Sequence, residues 1–113
     1  MSESLRQKQS RFVRMVAQLI NKATELGYEL TIGDAYRDPR SHGAMGTVKA
    51  YGEARSNHKM RLAIDFNLFK DGVWLSKTED FTPLGLYWES IGGSWGGRFS
   101  DGTHFSLEHG GIR

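Results

Sequence analysis

The segment 61–69, RLAIDFNLF, alternates between two sets of side chains and therefore predicts an extended strand. One face of that strand carries large apolar residues, namely Leu62, Ile64, Phe66 and Leu68. The other face carries Ala63, Asp65, Asn67 and Phe69. The dipeptide Asp71-Gly72 follows, which is typical of a two-residue hairpin, and Val73–Leu75 forms the return strand. The segment predicts an antiparallel sheet with one packed face and one open face.

The first third of the chain predicts a helix followed by a strand. Apolar residues recur at helical spacing over residues 4–26, and Gly27 is placed to end that helix. Residues 29–37, ELTIGDAYR, favour a strand. Residues 40–55 have weak patterning and favour a loop with one short helix over 47–53.

The last third predicts a short helix and a final strand. The helix covers residues 81–91, with Thr82 as its N-cap and Pro83 in its first turn. Residues 103–107 form the last strand, with Phe105 and Leu107 directed inward. We therefore expect an α+β fold in which an N-terminal helix packs on a central antiparallel sheet.

Composition limits the classes of protein that the chain can belong to. Its 113 residues favour a single domain over 1–113. The absence of cysteine excludes a disulfide framework, a cysteine nucleophile and a thiolate metal site. The net charge of +2 is only mildly basic, and no basic cluster with interleaved aromatic residues argues for nucleic acid. No stretch is apolar enough for a membrane span, so we expect neither nucleic acid nor a membrane as a partner.

Four residues could carry metal-assisted chemistry. Asp65 and His104 are both predicted on the open face of the sheet, and His58 lies in the loop before the central strand. Two imidazoles and a carboxylate form a usual ligand set for catalytic zinc, with a fourth position for water. Asp101, three residues before His104, could act as general base. A single Asp or His is more often a solvated or turn-capping side chain than a ligand, and spacing alone leaves both interpretations open.

Four segments together resemble one known family. The segment 56–65, SNHKMRLAID, resembles the S-x-H-x-x-G-x-A-x-D motif of the M15 zinc peptidases, which include VanY-type D,D-carboxypeptidases and phage endolysin L-alanyl-D-glutamate endopeptidases. Residues 101–104, DGTH, resemble the closing D/E-x-x-H motif of that family. Residues 96–99, GGRF, and 35–37, AYR, resemble its glycine-rich approach and its early arginine.

The resemblance implies a fold and a role for each matching residue. It implies the small hedgehog/D,D-peptidase-like α+β fold and Zn²⁺ as cofactor, with His58, Asp65 and His104 as ligands. Asp101 would activate water and protonate the leaving amine. Arg37 would bind a substrate carboxylate or polarise the scissile carbonyl, and Ser56 would help to position the substrate.

Two positions depart from the family pattern. Arg61 occupies the position of the glycine that follows the first histidine by three residues, where a tight turn or a close backbone approach is usual. Ser106 stands where the family often has glutamate. Neither change affects an expected ligand or the expected base, so we expect activity to survive.

The resemblance implies a zinc-dependent peptidoglycan peptidase of the phage endolysin type that cuts stem peptides, with the L-Ala–D-Glu bond as the expected site. The alternatives are a D,D-carboxypeptidase acting on D-Ala-D-Ala and a non-catalytic zinc- or peptidoglycan-binding member of the fold. Residues 1–14 are polar and charged and contain no signal-peptide core. We therefore expect a protein made in the host cytoplasm that reaches the cell wall after holin-dependent release. We also expect it to act as a monomer.

Overall fold

The computed structural model describes residues 3–34 and 60–111, and the first described element is helix α1, Leu5–Glu25. Ser4 caps its N-terminus, since the Ser4 hydroxyl accepts from the backbone N–H of Gln7 and the Gln7 side chain accepts from the N–H of Ser4. Gly27 has φ +86°, and the N–H groups of Gly27 and Tyr28 donate to carbonyls of the last turn. The left-handed glycine therefore ends the helix where the sequence predicts.

The described residues form one antiparallel sheet of five strands. They are β1, Glu29–Asp34; β2, Ala63–Lys70; β3, Val73–Leu75; β4, Ser94–Trp95; and β5, His104–Ser106. The order is β1-β2-β5-β4, and β3 pairs with the end of β2 beyond β5. Strand β2 is thus central and has neighbours on both sides. The predicted hairpin is confirmed, with Asp71 and Gly72 both at positive φ.

Strand β1 contains an irregularity close to the candidate site. Its register with β2 shifts between Ile32 and Asp34, so that Asp34 is paired with Asp65. A β-bulge of this kind bends a strand locally and is common beside functional sites. The predicted continuation of this strand to residue 37 and the short helix over 47–53 lie outside the described residues.

Helix α2, Thr82–Ser90, begins differently from the sequence prediction. Its N-cap is Phe81, and Thr82 already has helical backbone angles, so the prediction of Thr82 as N-cap is wrong. The reason is a 3₁₀ turn, Thr78–Phe81, that runs directly into the helix. The Asp80 carboxylate accepts from the backbone N–H of Lys77 at 3.1 Å, so the continuous helical segment begins with the 3₁₀ turn, one turn before Thr82.

Within residues 3–34 and 60–111, both helices pack on the same face of the sheet, and neither covers the other face, which we call the open face. The core joins the inner face of β2 to apolar residues of α1 and α2, and its largest fully buried side chains include Trp88, Phe81, Phe105 and Leu68. Trp88 contacts Phe12 and Phe105 edge-on, with ring centroids 5.8 and 5.9 Å apart. The predicted α+β class and the packing of the N-terminal helix are confirmed. No helix in the described part of the chain combines the length and apolar character that a membrane span requires.

Candidate active site on the open face of the sheet

A carboxylate and an imidazole meet on the open face of the sheet. Asp65 on β2 and His104 on β5 are directly paired in the register, so their side chains leave the same face. The Asp65 Oδ1 and His104 Nδ1 atoms are 3.1 Å apart. The two side chains are 20% and 16% exposed, respectively. The sequence prediction that these two residues converge is therefore matched by the geometry.

The alternation of β2 fixes the direction of Asp65. The flanking residues Ile64 and Phe66 are buried among the helices, so the residue between them must point to the open face. His104 is fixed in the same way, because Phe105 next to it is fully buried against Ile64. A slip of one residue would bury the Asp65 carboxylate or the His104 imidazole among apolar side chains and is strongly disfavoured.

The predicted base, Asp101, lies in a short loop before β5. Ser100, with φ +62°, turns the chain into this loop. The backbone N–H of Asp101 donates to the Gly96 carbonyl at 2.9 Å, and the Asp101 carbonyl accepts from the N–H of His104 at 3.2 Å. The Thr103 hydroxyl donates to Asp101 Oδ1 at 3.1 Å. The backbone of Asp101 is thus hydrogen-bonded to that of His104, and its exposed carboxylate is hydrogen-bonded to Thr103.

Two residues that the sequence prediction did not assign to the site hold this loop in place. The buried indole of Trp95 donates from Nε1 to the Gly102 carbonyl at 2.9 Å. The Gly102 N–H donates to the hydroxyl of Thr78 at 3.2 Å. The backbone carbonyl and N–H of Gly102, the residue after Asp101, are therefore both hydrogen-bonded to side chains. The sequence signal for this role is the group of glycines around Trp95, which shows that the backbone packs closely there.

Gly96 is required by close packing beneath the loop. A Cβ atom at this position would lie 2.3 Å from the Asp101 carbonyl oxygen and 2.8 Å from the Cβ of His104. Both distances are far below contact distance, so only glycine allows the 3₁₀ turn at Gly96–Phe99 to approach the candidate base and imidazole this closely.

The remaining predicted site residues, Arg37, Ser56 and His58, lie outside the described residues. Within residues 3–34 and 60–111, no group of three or more histidine, aspartate or glutamate side chains is placed to hold a metal ion. The complete ligand set therefore stays a prediction. Asp65 and His104 would supply two of its three donors, one oxygen and one nitrogen, and this donor chemistry fits zinc.

The two departures from the family pattern have clear local structures. Arg61 has φ +58°, a left-handed conformation in which glycine is favoured. The backbone therefore keeps the shape of the usual glycine turn although the residue is bulky. Ser106 is fully buried, and its hydroxyl donates to the Ser94 carbonyl at 3.4 Å. This position forms part of the connection between β4 and β5.

A bidentate ion pair lies on a different part of the surface. The guanidinium of Arg98 donates to both carboxylate oxygens of Glu89, at 2.8 and 2.6 Å. This hydrogen bonding lowers the pKa of Glu89 and raises that of Arg98. Both residues line an open cavity of about 460 Å³ that also includes Phe99 and Glu108 but neither Asp65 nor His104. The pair therefore contributes to surface electrostatics and not to the candidate site.

A family model described as D-alanyl-D-alanine carboxypeptidase, of the M15 peptidases, matches residues 50–107, about half of the chain. The chain therefore belongs to the M15 peptidase family. The matched range contains Asp65, Asp101 and His104, whose geometry is described above.

A solved structure shares the fold. The crystal structure of the Serratia marcescens L-Ala D-Glu endopeptidase ChiX matches with a TM-score of 0.72 at 18% identity, over 88% of this chain and 79% of that chain. At this level of identity the match establishes the fold. No curated protein sequence matches the chain significantly.

Proposed function

We propose that the protein is a zinc-dependent peptidoglycan peptidase that hydrolyses the L-Ala–D-Glu bond of the stem peptide. The observation that carries this proposal is the pairing of Asp65 with His104 on the open face of an M15 fold. The choice of bond is supported by the structural likeness to ChiX, which is described as an L-Ala D-Glu endopeptidase. The role of the protein would then be that of an endolysin that degrades the cell wall after phage-directed release.

The proposed zinc site combines Asp65 and His104 with His58. The distance of 3.1 Å between Asp65 Oδ1 and His104 Nδ1 supports this set, because one ion in contact with both side chains would require only a small rearrangement. The chemistry that zinc supplies in such a set is polarisation of the scissile carbonyl and positive charge for the oxyanion that develops.

Asp101 is proposed as the general base and then the general acid. Its Oδ1 atom already accepts from Thr103, so the proton of the attacking water is taken at Oδ2. The water oxygen forms a bond to the carbonyl carbon of L-Ala, and the C–N bond to D-Glu breaks. The proton on Asp101 passes to the departing amine, which restores the carboxylate. The hydrogen bonds of the Asp101 backbone to Gly96 and His104 would hold the loop in one position during both transfers.

Arg37 and Ser56 are proposed to contact the substrate. A guanidinium at Arg37 would bind a substrate carboxylate or stabilise charge on the scissile carbonyl, since planar guanidinium groups form paired hydrogen bonds to carboxylates. Ser56 would position the peptide. We propose that a single copy of the chain carries the whole site and works as a monomer.

The second candidate function is a D,D-carboxypeptidase, favoured by the description of the matching family model. A third is a non-catalytic member of the fold that binds zinc or peptidoglycan. The fixed carboxylate of Asp101 supports a catalyst over a binder, because binding alone has no need of a proton acceptor beside the metal site.

The decisive experiment measures metal content and lysis on the same preparation. We expect one zinc ion per chain, loss of turbidity of purified peptidoglycan, inhibition by a chelator and recovery with added zinc. Mass spectrometry of products from defined muropeptides then identifies the bond: a new D-Glu amino terminus supports the proposal, whereas release of D-Ala supports the carboxypeptidase. Zinc without cleavage would identify a binding module, and a protein that binds no zinc would contradict the proposal.

A further inference from the structure

The open face of the sheet carries an exposed aromatic pair at the end away from the candidate site. Phe69 on β2 and Trp74 on β3 are directly paired, so their rings lie on the same face. Trp74 is 63% exposed, whereas the other two tryptophans, Trp88 and Trp95, are buried. Trp74 and the half-buried Phe69 are cross-strand neighbours, so they form a joined aromatic surface and not a single scattered apolar residue, and a joined exposed apolar surface is a candidate binding site.

This pair is continuous with the catalytic face. Asp65, Asn67 and Phe69 occupy alternate positions of β2 and therefore share the open face. Between the acid and the aromatic pair, Asn67 donates to the hydroxyl of Thr31 at 3.2 Å, which gives that face a polar middle section. Phe69 lies four positions beyond Asp65 on β2, which is about 13 Å at the usual rise per residue.

We propose that Phe69 and Trp74 form a glycan subsite that stacks the N-acetylmuramyl sugar of the substrate. This inference rests on the proposed function. The apolar C–H face of a pyranose ring packs on an aromatic ring, and the indole N–H can bond to a sugar hydroxyl or acetamido group. A subsite on the same rigid sheet as the catalytic residues would hold the glycan strand while the peptide enters the site.

The spacing fits the L-Ala–D-Glu bond. L-Ala and the lactyl group are the two units between the carbonyl that is cut and the muramyl sugar. At about 3.5 Å per extended unit, the centre of the sugar ring lies about 9 Å from that carbonyl. The bond between the terminal D-Ala residues lies three residues further along the stem, which adds about 10 Å. The aromatic pair, about 13 Å from Asp65, therefore suits a cut next to the sugar and not a cut at the end of the stem.

The first test compares two substrates with two matched variants. Trp74→Ala removes the stacking ring. Val73→Ala is the control, because Val73 is 58% exposed on the same strand but lies on the opposite face. On a substrate that contains the muramyl sugar, we expect Trp74→Ala to raise KM about fivefold with little change in kcat. On the sugar-free stem peptide, Trp74→Ala should match the wild type, and Val73→Ala should match it on both substrates.

An equal loss on both substrates would overturn the subsite, since it would show a general structural effect. An unchanged KM on the sugar-containing substrate would overturn it as well. If the wild type cleaves neither substrate, the proposed function has failed and the subsite is judged by binding alone.

The binding test uses tryptophan fluorescence and needs no cleavage. Because Trp88 and Trp95 are buried, quenching by acrylamide reports mainly on Trp74. Peptide-free glycan strands prepared with an amidase should protect Trp74 from the quencher, and Trp74→Ala should no longer sediment with them. Absence of protection would contradict the subsite. Protection that rises with protein concentration alone would also contradict it, because it would show that a second copy covers the ring.

Discussion

The indole N–H of Trp95 donates to the backbone carbonyl of Gly102 at 2.9 Å, so a buried core ring holds the residue that follows Asp101. The same loop is fixed from the other side by Thr78 and by the close approach of Gly96. The position of the proposed base therefore depends on the hydrophobic core as well as on its own loop. Packing defects far from the open face should change catalysis through this connection.

Replacement of Asp101 by asparagine should remove the proton transfer and keep the shape of the side chain. We expect kcat to fall by about 10²- to 10⁴-fold, the usual contribution of a general base. Zinc content and thermal stability should stay close to the wild-type values. The control is Asp71→Asn in the exposed hairpin, where asparagine tolerates the positive φ of 52°. Full lysis by the Asp101→Asn variant would contradict the proposed mechanism.

The Trp95–Gly102 hydrogen bond can be tested with Trp95→Phe. This change leaves the Gly102 carbonyl without its donor and should cost about 1–3 kcal/mol of stability. Trp88→Phe is a matched control, because the buried Trp88 indole donates to the Ser106 carbonyl at the same distance, 2.9 Å. Urea unfolding should show similar losses for both variants. Only Trp95→Phe should also lower kcat, and equal effects of the two variants on kcat would argue against a positioning role for Trp95.

The contact at Gly96 predicts a severe effect from a single methyl group. In Gly96→Ala the new Cβ would overlap the Asp101 carbonyl oxygen, so the loop must shift. We expect a loss of about 1–3 kcal/mol, typical of overpacking, together with loss of most activity. Gly110→Ala serves for comparison, since a Cβ there meets open space and only its positive φ is unfavourable. Stability and lysis close to wild type in Gly96→Ala would show that the loop is not held by this contact.

The left-handed backbone at Arg61 predicts a difference between two truncations. Arg61→Gly and Arg61→Ala both remove the arginine side chain and its contacts, but only alanine keeps a Cβ at φ +58°. We therefore expect the glycine variant to be more stable than the alanine variant by about 0.5–1 kcal/mol, because relief of strain exceeds the added chain entropy. Chemical denaturation of both proteins measures this difference. An alanine variant that is the more stable would mean that this turn changes its backbone conformation.

The Glu89–Arg98 pair predicts a pH-dependent contribution to stability. Hydrogen bonding to Arg98 lowers the pKa of Glu89 in the folded protein, so the pair stabilises above the usual glutamate pKa. This contribution is lost as the pH falls through the lowered pKa. The Tm of Glu89→Gln should be slightly below that of the wild type at pH 7, and the two should coincide at low pH. The effect is small because the pair is exposed to solvent.

The sequence predicted the structure correctly where a local pattern is compatible with only one backbone arrangement. The alternation around Asp65 determines which face each residue occupies, and the register with His104 follows from the burial of Phe105. The hairpin at Asp71-Gly72 and the helix end at Gly27 were predictable because both need positive φ.

Other features depend on contacts between distant segments. Strand β4 is only two residues long, and its existence depends on pairing with β5. The role of Trp95 depends on which carbonyl its indole reaches, which no local pattern encodes. The predicted start of α2 was wrong because the Asp80 side chain accepts from the N–H of Lys77 and stabilises a 3₁₀ turn that begins at Thr78, four residues before the predicted cap at Thr82.

Alternate residues of strand β2 face opposite sides of the sheet and have different functions. One set of side chains binds the helices and determines whether the chain folds, while the intervening set meets whatever approaches the open face. Selection can therefore alter recognition at Asn67 or Phe69 without disturbing Phe66 or Leu68 between them. Because the two sets are separate, a peptidase of this fold can change the side chains that face its substrate while it keeps the side chains that stabilise the fold.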